Sequence, residues 1–397
     1  MDAAADTVLR RLGELPAGER LLGALDGLEG VHLVGGAVRD LLLGRRPLDL
    51  DLVAEGDGPG VAAELARRLG APAPLVHGRF GTAAVDGINV ATARAESYAR
   101  PGALPDVRPG SVAEDMARRD FTVNAIAVGV SPDRRAVVHA APHAFDDLEE
   151  RRLRVLHAAS FEDDPTRLVR LARYAARLGF DVEEGTARLA REAFAAGAPA
   201  GAGRARMGAE LLLALREPDA VAALAALRDL AGGAELDPGL QVDEALLRRA
   251  AALLPGDPLV LLAALARRVP GAELRAWLDD VHLRDPSPVV DAAADPEGLA
   301  AQMRATARPS ELWRLLRRRS PQAAALAGAV GAEAQARRWL DELRGVRLEI
   351  TGDDLLSAGL AEGPEIGRRL DAVLARKLDE GLAGREAELA AALEARD

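Results

Sequence analysis

Short β-type runs are confined to one stretch of this chain, between residue 31 and about residue 138. In chain order they are VHLV, LDLDLVA, TAAVDGINVATA and FTVNAIAVGV. From residue 148 onward, almost every segment instead follows a helical period built from Ala, Leu, Arg and Glu, with breaks at Gly and Pro. Strands grouped first and helices afterwards are typical of the α+β class. We therefore expect a small mixed α/β head followed by an all-α remainder.

Length and composition exclude several classes of function. The 397 residues correspond to two to four domains of roughly 100–200 residues each. The absence of cysteine excludes disulfides, thiolate metal sites and cysteine nucleophiles. No apolar run approaches the about 20 residues of a membrane span, and the acidic N-terminus lacks the basic start of a signal peptide. We therefore expect a cytoplasmic protein that does not bind a membrane.

The charge balance restricts how nucleic acid could be bound. A net charge of −11 argues against a surface covered by nucleic acid, and 3% aromatic residues argue against a base-stacking platform. Neither value excludes one local basic groove.

The first strand-like run ends in a pair of glycines. Gly35 and Gly36 lie between the run at 31–34 and a short helical segment at 37–43. A glycine turn that leads into a helix lets backbone N–H groups approach an anion closely, although a plain turn is the simpler interpretation. Arg39, in the first turn of that helix, is either an exposed salt-bridging residue or a phosphate ligand.

Two aspartates alternate along the next run. Side chains alternate across a strand, so Asp49 and Asp51 are expected to share one face. The opposite face would then carry Leu48, Leu50 and Leu52. Neighbouring carboxylates repel without a cation between them, and oxygen ligands suit Mg²⁺, which completes its shell with water and substrate phosphates. A solvated strand edge is the alternative, but the preceding strand, glycine pair and helix favour nucleotidyl transfer.

These residues resemble the head motif of a known family. VGGAVRDLLLG at 34–44, followed by Asp49-Leu50-Asp51, is similar to the motif of bacterial class II CCA-adding tRNA nucleotidyltransferases and poly(A) polymerases, which are polymerase-β-like nucleotidyltransferases. Further matches in the family's order are RFGT at 79–82, TAR at 92–94, DMARRDFTVNA at 115–125, DDPTR at 163–167, Arg206 with Glu210, and ITGDDL at 350–355. The resemblance is dense over residues 31–215 and loose over 216–345.

The resemblance implies a domain order and an activity. The expected order is an N-terminal helical segment at 1–26, a nucleotidyltransferase head at 27–147, a base-recognising neck at 148–215, a body at 216–300 and a tRNA-contacting tail at 301–397. The implied reaction is transfer of CMP and AMP from CTP and ATP to the 3′ end of tRNA. Asp49 and Asp51 would hold two Mg²⁺ ions, and Gly35, Gly36 and Arg39 would cradle the triphosphate. In the family, the segment that contains Arg118 and Arg119 contacts the incoming nucleotide.

A row of charged residues accompanies the helix expected after Pro165. The row consists of Asp164, Arg167, Arg170 and Arg173. An exposed, salt-bridged stripe is the simplest interpretation. The alternative is base recognition, because an aspartate accepts hydrogen bonds and an arginine donates them. Cytosine and adenine present an amino donor beside a ring-nitrogen acceptor and match this pair, whereas guanine and uracil reverse the pattern. Asp164 with Arg167 would then select CTP and ATP, as the family's equivalent motif does, while Arg170 and Arg173 bind phosphates or hold the pair in place.

Some positions depart from the family's pattern or have an ordinary explanation. Asn89 occupies a position where relatives commonly carry a third carboxylate, so either two carboxylates suffice or turnover is lowered. Arg206 and Glu210 are spaced as an i, i+4 ion pair, and we expect that pair to stabilise the neck. His139 and His143 could pair as metal ligands, but surface positions are the simpler interpretation.

The tail and the exact reaction leave alternatives open. Arg314, Arg317 and Arg318 are predicted on one helix face near Trp313, where they would either bind an RNA backbone or form a solvated surface. A specialist CC-adding, A-adding or poly(A)-making enzyme shares the same motifs. A tRNA-binding protein that has lost its activity is a further alternative, supported by Asn89 alone. The sequence does not specify an oligomeric state.

Overall fold

The computed structural model describes residues 2–77, 81–232 and 239–394. The chain folds into two compact units, of which the first extends to Ala214 and the second begins at Leu215. The end of one helix, from Ala226 onward, groups with the first unit. Within the described residues every strand belongs to the first unit, and the second unit is helical. The predicted α+β class is confirmed, while the division into head, neck, body and tail stays a prediction.

The first unit contains one large sheet and two small ones. Its strands are β1 (Val31–Val34), β2 (Leu50–Ala54), β3 (Leu75–His77), β4 (Thr82–Val85), β5 (Ile88–Thr92), β6 (Arg94–Ser97), β7 (Asp106–Pro109), β8 (Ile126–Gly129), β9 (Val138–Ala140), β10 (Arg152–Leu153) and β11 (Asp181–Val182). The large sheet has the order β3-β4-β5-β2-β1-β8-β9, and its only parallel pair of neighbours among the described strands is β2 with β5. The strands β6 and β7 form a separate antiparallel hairpin, and β10 pairs with β11.

Helices surround this sheet and continue the first unit after it. They are α1 (Asp2–Gly13), α2 (Pro16–Ala24), α3 (Gly36–Leu42), α4 (Gly58–Leu69), α5 (Val112–Ala117), α6 (Ala144–Glu149), α7 (Ser160–Asp163), α8 (Thr166–Leu178), α9 (Glu184–Ala195), α10 (Ala198–Ala202) and α11 (Arg204–Ala214). The expected N-terminal helical segment is divided in two, because Pro16 begins a second helix. Arg11 of α1 donates from Nη1 to the carbonyl oxygens of Leu41 (2.6 Å) and Leu42 (3.1 Å), so the N-terminal helix holds the end of α3 in place.

Two of the predicted strands are shorter than expected. Leu48 lies before β2 and is 74% exposed, so the predicted apolar face of that run begins only at Leu50. The run FTVNAIAVGV forms a strand only over Ile126–Gly129, because Thr122–Asn124 is a single helical turn. The buried hydroxyl of Thr122 donates to Asp147 at 2.7 Å, and this contact favours the turn over a continuous strand.

The helix α8 begins after Pro165, as expected, and ends before a glycine. Pro165 precedes it with a helical φ of −61°, and Gly179 follows it with a φ of +66° that glycine adopts readily. Its buried residues include Leu168, Leu171 and Leu178, but also Arg167 and Arg173. Arginine at buried positions requires partners inside the protein, and these partners form part of the site described below.

The second unit is a series of short helices. They are α12 (Ala220–Ala231), α13 (Glu244–Leu253), α14 (Pro258–Ala266), α15 (Gly271–Asp280), α16 (Ser287–Ala293), α17 (Pro296–Ala305), α18 (Pro309–Leu316), α19 (Pro321–Ala327), α20 (Glu333–Arg337), α21 (Gly352–Ser357), α22 (Pro364–Glu380) and α23 (Arg385–Glu394), with wider helical turns at Gly328–Ala332 and Arg338–Leu343. None of the helices within the described residues combines the length and apolar character that crossing a bilayer requires.

One buried charge organises the end of this second unit. Glu388 of α23 is fully buried and accepts hydrogen bonds from Lys377 Nζ (2.5 Å) and the backbone N–H of Glu349 (2.6 Å). Burial raises the pKa of Glu388, but Lys377 and the backbone N–H groups outweigh burial and hold this pKa below its ordinary value. Lys377, the only lysine of the chain, is therefore the cation that makes this buried carboxylate tolerable.

Replacing Lys377 by methionine should destabilise the second unit by about 1–3 kcal/mol at pH 7, because the buried Glu388 carboxylate loses its cation. All three tryptophans, Trp277, Trp313 and Trp339, lie in this unit, so urea unfolding followed by tryptophan fluorescence measures its stability separately. A carboxylate whose folded pKa is lowered stabilises above its unfolded pKa and loses that effect as the pH falls through the folded value. The difference in unfolding free energy between variant and wild type should thus shrink once the pH falls below about 4.3, the ordinary pKa of a glutamate in an unfolded chain.

The control for this substitution is Arg376→Met on the same helix. Arg376 forms an exposed i, i+4 pair with Glu380, and such surface pairs contribute about 0–1 kcal/mol. Equal destabilisation by the two substitutions would contradict a special role for Lys377.

Candidate active site

A cavity of about 550 Å³ in the first unit brings together most of the residues that the sequence motifs single out. The predicted site residues that line it are Gly36, Arg39, Asp49, Asp51, Arg118, Arg119, Asp164, Arg167, Arg170 and Arg173. Eight lining residues are arginines and six are aspartates or glutamates. An excess of arginine in one concave surface suits a polyanionic ligand such as a triphosphate.

The glycine turn supports this cavity in a different way from the one predicted. Gly35 has a φ of +66°, and a side chain there would collide with the guanidinium of Arg119. Its N–H already donates to the carbonyl oxygen of Ile126 at 3.0 Å, so Gly35 does not offer that group to an anion. Gly35 therefore allows the turn and leaves room for Arg119, while Gly36 lines the cavity itself.

Arg39 is a buried residue rather than the exposed one that the simpler interpretation predicted. Its side chain is 3% exposed, and it forms an ion pair with Asp40 at 2.8 Å. Its Nη1 also donates to the Asn124 side-chain oxygen at 2.6 Å, and its guanidinium lies 5.5 Å from the centre of the Tyr174 ring. Arg39 is thus fixed in the wall of the cavity by its neighbour Asp40 on α3 and by contacts with two other parts of the fold.

The two aspartates of the predicted metal site lie at the start of β2. Asp49 is exposed and precedes the strand, whereas Asp51 is partly buried within it. In the parallel ladder of β2 and β5, Asp51 is the register partner of Asn89. Asn89 Nδ2 donates to Asp51 Oδ1 at 3.0 Å. The residue at the expected position of a third carboxylate is therefore a hydrogen-bond donor to the second one.

Asp49 and Asp51 differ from the other acidic residues of the cavity because they have no cationic partner among the described residues. The paired carboxylates are Asp40 with Arg39, Glu96 with Arg94 and Arg118, Asp120 with Arg170, and Asp164 with Arg206. These two carboxylates can donate oxygen ligands to a cation, and they lie beside arginines that suit a triphosphate. The arrangement fits a Mg²⁺ ion, which takes its remaining ligands from water and phosphates. The described residues contain no cluster of three or more potential metal ligands, so the protein's own contribution would be these two carboxylates.

Asp120 joins the sheet side of the cavity to α8. Arg170 donates to its Oδ2 from Nε (2.9 Å) and Nη2 (2.7 Å), and Asn124 Nδ2 donates to its Oδ1 at 3.0 Å. Burial raises the pKa of Asp120, but the charge of Arg170 and the hydrogen bonds from Asn124 and Arg170 outweigh burial and lower this pKa to about 2. Asp120 is therefore a buried anion at neutral pH, and it fixes the position of Arg170.

Glu210 of α11 completes this ion-pair network. It accepts from Arg170 Nη1 at 3.1 Å and from Arg173 Nη1 at 2.7 Å. The predicted i, i+4 pair between Arg206 and Glu210 is wrong, because Glu210 pairs with Arg170 and Arg173 of α8, whereas Arg206 pairs with Asp164, which precedes that helix. Arg170 and Arg173 are held by the protein's own carboxylates, which favours the second of their two predicted roles, that of holding the base-reading pair in place.

Asp164 and Arg167 are both held firmly beside the cavity. Asp164 Oδ1 accepts from Thr166 Oγ1 (2.6 Å), the Thr166 N–H (3.1 Å) and Arg206 Nη2 (2.8 Å). Arg167 is 5% exposed, and it donates from Nη1 to Ser160 Oγ at 2.8 Å and from Nη2 to the carbonyl oxygen of Arg118 at 2.6 Å. Neither residue belongs to a solvent-exposed stripe, so that interpretation of the row is wrong for them.

Arg118 and Arg119 are tied to one buried carboxylate. Asp115 of α5 is fully buried, and it accepts from Arg118 Nη2 at 2.5 Å and from Arg119 Nη2 at 3.1 Å. Arg118 also donates from Nη1 to Glu96 of β6 at 2.9 Å. The pair that the resemblance assigns to the nucleotide is thus oriented by acidic residues on a helix and on a hairpin.

Sequence reasoning missed several residues of the cavity wall. Glu96, Tyr98, Asn124 and Tyr174 line it without having been predicted. Burial and the nearby Glu96 charge raise the pKa of Tyr98 to about 12, so Tyr98 stays a neutral hydrogen-bond donor, and it donates to Glu96 at 3.0 Å. One feature of the sequence points to Glu96. Arg94 and Glu96 alternate along a strand, as Asp49 and Asp51 do, and such spacing places two charged side chains on the same face.

The remaining motif residues lie away from this cavity or outside the described chain. Arg79 and Phe80 of the RFGT match lie outside the described residues. His139 and His143 line a second cavity of about 460 Å³, and the ring of His139 contacts His32 edge to face at 5.4 Å. The suggested pairing of His139 with His143 on a metal receives no support, because no metal-ligand cluster of three or more occurs among the described residues.

The second unit has its own basic cavity, of about 590 Å³. It is lined by Trp313, Trp339 and five arginines, Arg317, Arg318, Arg319, Arg344 and Arg347, together with apolar residues. The prediction that Arg314, Arg317 and Arg318 share one helix face is wrong in part. The helix α18 ends at Leu316, so Arg317 and Arg318 follow it, and only Arg314 lies on the helix.

Comparisons with known proteins agree with this geometry. A family model described as the poly A polymerase head domain matches residues 31–154. Over 349 residues the chain is 35% identical to a CC-adding tRNA nucleotidyltransferase of Deinococcus radiodurans, an alignment that covers 85% of this chain and 82% of that protein. The chain is also 34% identical over 401 residues to an A-adding tRNA nucleotidyltransferase of Geobacter sulfurreducens. It spans 45% of the length of that protein, and less than half of the length of two other A-adding relatives.

Solved structures that resemble this one include CCA-adding enzymes. The Thermotoga maritima CCA-adding enzyme complexed with tRNA matches with a TM-score of 0.74 and 26% identity over 98% of both chains. A CCA-adding enzyme in complex with ATP matches with a TM-score of 0.75 and 27% identity, covering 94% of this chain and 92% of that one. With a relative at 35% identity aligned over most of both proteins, the chain belongs to the tRNA nucleotidyltransferase family that includes CC-adding, A-adding and CCA-adding members.

Proposed function

We propose that this protein transfers CMP and AMP, without a nucleic-acid template, from CTP and ATP to the 3′ end of tRNA. The observation that carries the proposal is the pair Asp49 and Asp51, which has no cationic partner among the described residues although eight arginines line the same cavity. Relatives named CC-adding, A-adding and CCA-adding enzymes, and neighbours named as complexes with tRNA, ATP and CTP, support these substrates.

The reaction is an in-line displacement at the α-phosphorus of the nucleotide. The tRNA 3′-oxygen forms a bond to phosphorus while the bond to the bridging oxygen of pyrophosphate breaks, and the hydroxyl proton passes to solvent. Asp49 and Asp51 would hold two Mg²⁺ ions. These ions would activate the 3′-hydroxyl of the tRNA and neutralise charge on the departing pyrophosphate. Arg118 and Arg119, oriented by Asp115, bind the triphosphate, so the protein contributes chiefly placement and charge stabilisation.

Asp164 and Arg167 select the base. Every hydrogen bond that Asp164 accepts from a described side chain or backbone group ends on Oδ1, so Oδ2 is the oxygen that can accept from an exocyclic amino group. The contacts of Arg167 with Ser160 and Arg118 leave its Nε–H and one Nη2–H for a ring-nitrogen acceptor. Cytosine and adenine present this donor and acceptor side by side, whereas uracil and guanine place an acceptor opposite the carboxylate.

Specialist CC-adding or A-adding activity is the second candidate, because relatives of both kinds match the chain. A protein that binds tRNA without catalysing transfer is disfavoured, because Asp49 and Asp51 are both present and both line the cavity.

The basic cavity of the second unit supports a tRNA-binding role for the tail. Arg318 and Arg314 make no ion pair with any described residue, and the Arg317 guanidinium lies 5.3 Å from the centre of the Trp313 ring. Arginines beside aromatic rings favour binding to an RNA backbone, where each neutralised phosphate releases a counterion.

The first test uses tRNA lacking CCA, tRNA ending in C, and tRNA ending in CC, each with one labelled nucleotide and Mg²⁺. We expect CMP incorporation into the first two and AMP incorporation into the third. Asp49→Asn and Asp51→Asn should each abolish incorporation with little change in tRNA affinity, because they remove only the metal-binding charge. Asp146→Asn, an exposed aspartate of the head outside the cavity, removes the same charge and serves as control.

Incorporation of one nucleotide only would establish a specialist. No incorporation by a folded wild type that binds tRNA would contradict the transferase proposal. Equal loss of activity and of tRNA affinity in the aspartate variants would contradict their metal-binding role.

Asn89→Asp should increase divalent-ion affinity, because it places a third carboxylate beside Asp51 where an amide now donates a hydrogen bond. We expect Mn²⁺, measured by electron paramagnetic resonance without nucleotide, to bind about tenfold more tightly. Without divalent ions the variant should melt at a lower temperature than wild type, since adjacent carboxylates repel. Asn89→Ser, which loses the amide without gaining charge, should not show the gain, and unchanged Mn²⁺ affinity in Asn89→Asp would contradict this assignment.

Replacing both Arg314 and Arg318 by alanine should raise the Kd for tRNA and leave nucleotide affinity unchanged. The slope of log Kd against log salt should fall by about 1 for each arginine that contacts a phosphate. Arg337→Ala is the control, because Arg337 is an exposed arginine of the same unit that already pairs with Glu333. An unchanged slope in the double variant would show that these arginines form a solvated surface.

A further inference from the structure

One arginine of α11 joins two parts of the cavity wall. Arg206 donates from Nη2 to Asp164 Oδ1 at 2.8 Å and from Nη1 to the carbonyl oxygen of Gly102 at 3.0 Å. The Arg206 and Asp164 side chains are 27% and 22% exposed, so both are largely removed from solvent. The planar guanidinium presents these donors in a rigid geometry, and its position therefore determines the orientation of the Asp164 carboxylate.

Gly102 lies in the turn that connects β6 to β7, and this turn is fixed to the neighbouring helices. Its N–H donates to the carbonyl oxygen of Glu162 in α7 at 2.8 Å. Its φ is +70°, and a side chain there would lie 2.5 Å from backbone atoms of Gly201 in α10. Tyr98 and Pro105, at the two ends of the same turn, line the cavity. The turn is thus a wall of the cavity and is anchored where Arg206 contacts it.

The same hairpin also reaches the second base-reading residue. Glu96 of β6 accepts from Arg118 Nη1 at 2.9 Å, and the carbonyl oxygen of Arg118 accepts from Arg167 Nη2 at 2.6 Å. The hairpin is therefore connected to Arg167 through Arg118 and to Asp164 through Arg206. These contacts together set the distance and the angle between the two groups that meet the base.

We propose that Arg206 is a positioning residue for nucleotide selection, which prevents the Asp164 carboxylate from turning away from a mismatched base. The inference rests on the proposed function and deepens it. Uracil or guanine is rejected because an acceptor on the base would face Asp164 Oδ2. This mismatch is avoided if the carboxylate rotates. Thr166 and Arg206 both hold Oδ1, so removing Arg206 leaves Thr166 as the one remaining described residue that donates to this carboxylate, and rotation becomes easier.

The test is equilibrium binding of CTP, ATP, UTP and GTP to the full-length protein, measured by titration calorimetry in the presence of Mg²⁺. Wild type should bind CTP and ATP more tightly than UTP and GTP. Arg206→Ala should reduce this preference about tenfold or more, mainly by improving the binding of UTP and GTP. Arg206→Lys should give an intermediate preference, because a lysine ammonium can pair with Asp164 but lacks the fork that also binds Gly102.

Arg154→Ala is the matched control for general destabilisation. Arg154 forms an ion pair with the buried Asp147 and is 29% exposed, close to the 27% of Arg206, but it does not line the cavity. We expect Arg154→Ala to lower the melting temperature and retain the nucleotide preference. Melting curves of all variants separate lost selectivity from lost structure.

Three results would overturn the inference. If Arg206→Ala retains the wild-type preference, Arg206 does not position Asp164. If Arg154→Ala loses the preference to the same degree, the effect of Arg206 is general stability. If wild type binds all four nucleotides equally, the base-reading role fails together with the inference, whereas the incorporation assay with tRNA independently tests the transferase activity.

Discussion

The ion pair between Asp120 and Arg170 is the contact on which the geometry of the site depends. Asp120 is 7% exposed and follows α5, whereas Arg170 lies on α8. Each charge would be unfavourable alone at this depth, so the pair holds only while the two segments stay in register. Asn124 links the same carboxylate to Arg39 of α3, and Arg170 continues to Glu210 of α11. One network thereby fixes the helix that follows the glycine turn and the helix α8 relative to each other.

This network also explains why the arginines of the cavity do not neutralise the two aspartates of the predicted metal site. Arg39, Arg118 and Arg170 are each engaged by an acidic residue of the protein. Asp49 and Asp51 are left without a cation among the described residues, and their mutual repulsion favours binding of a divalent ion. The amide of Asn89 reduces that repulsion, since it adds a donor where a third carboxylate would add charge. A site with two carboxylates is thus compatible with stability before any ion binds.

Local patterns predict the fold class and much of the site, and they fail where partners are distant in sequence. Pro165 and Gly179 delimit α8 because proline and glycine act on adjacent backbone, and the spacing of Asp49 and Asp51 predicts a shared location. The i, i+4 spacing predicts that Arg206 pairs with Glu210, but the actual partner of Arg206 lies 42 residues away. Helix spacing shows which residues can meet on one helix, and it contains no information about a neighbouring helix that offers a better partner.

To select a nucleotide without a template, a protein must hold its hydrogen-bonding groups in place even when the wrong base lies opposite them. An unsatisfied buried acceptor costs about 1–3 kcal/mol, which corresponds to roughly fivefold to 150-fold discrimination, but only if the side chain cannot relax. Asp164 is held by Thr166 and Arg206 on one oxygen, and Arg167 is held by Ser160 and Arg118. In the proposed function, rigidity at these two side chains would allow an aspartate–arginine pair to discriminate between bases. Because the β6–β7 hairpin contacts both Arg206 and Arg118, the proposed base recognition predicts that the conformation of the hairpin affects nucleotide selectivity.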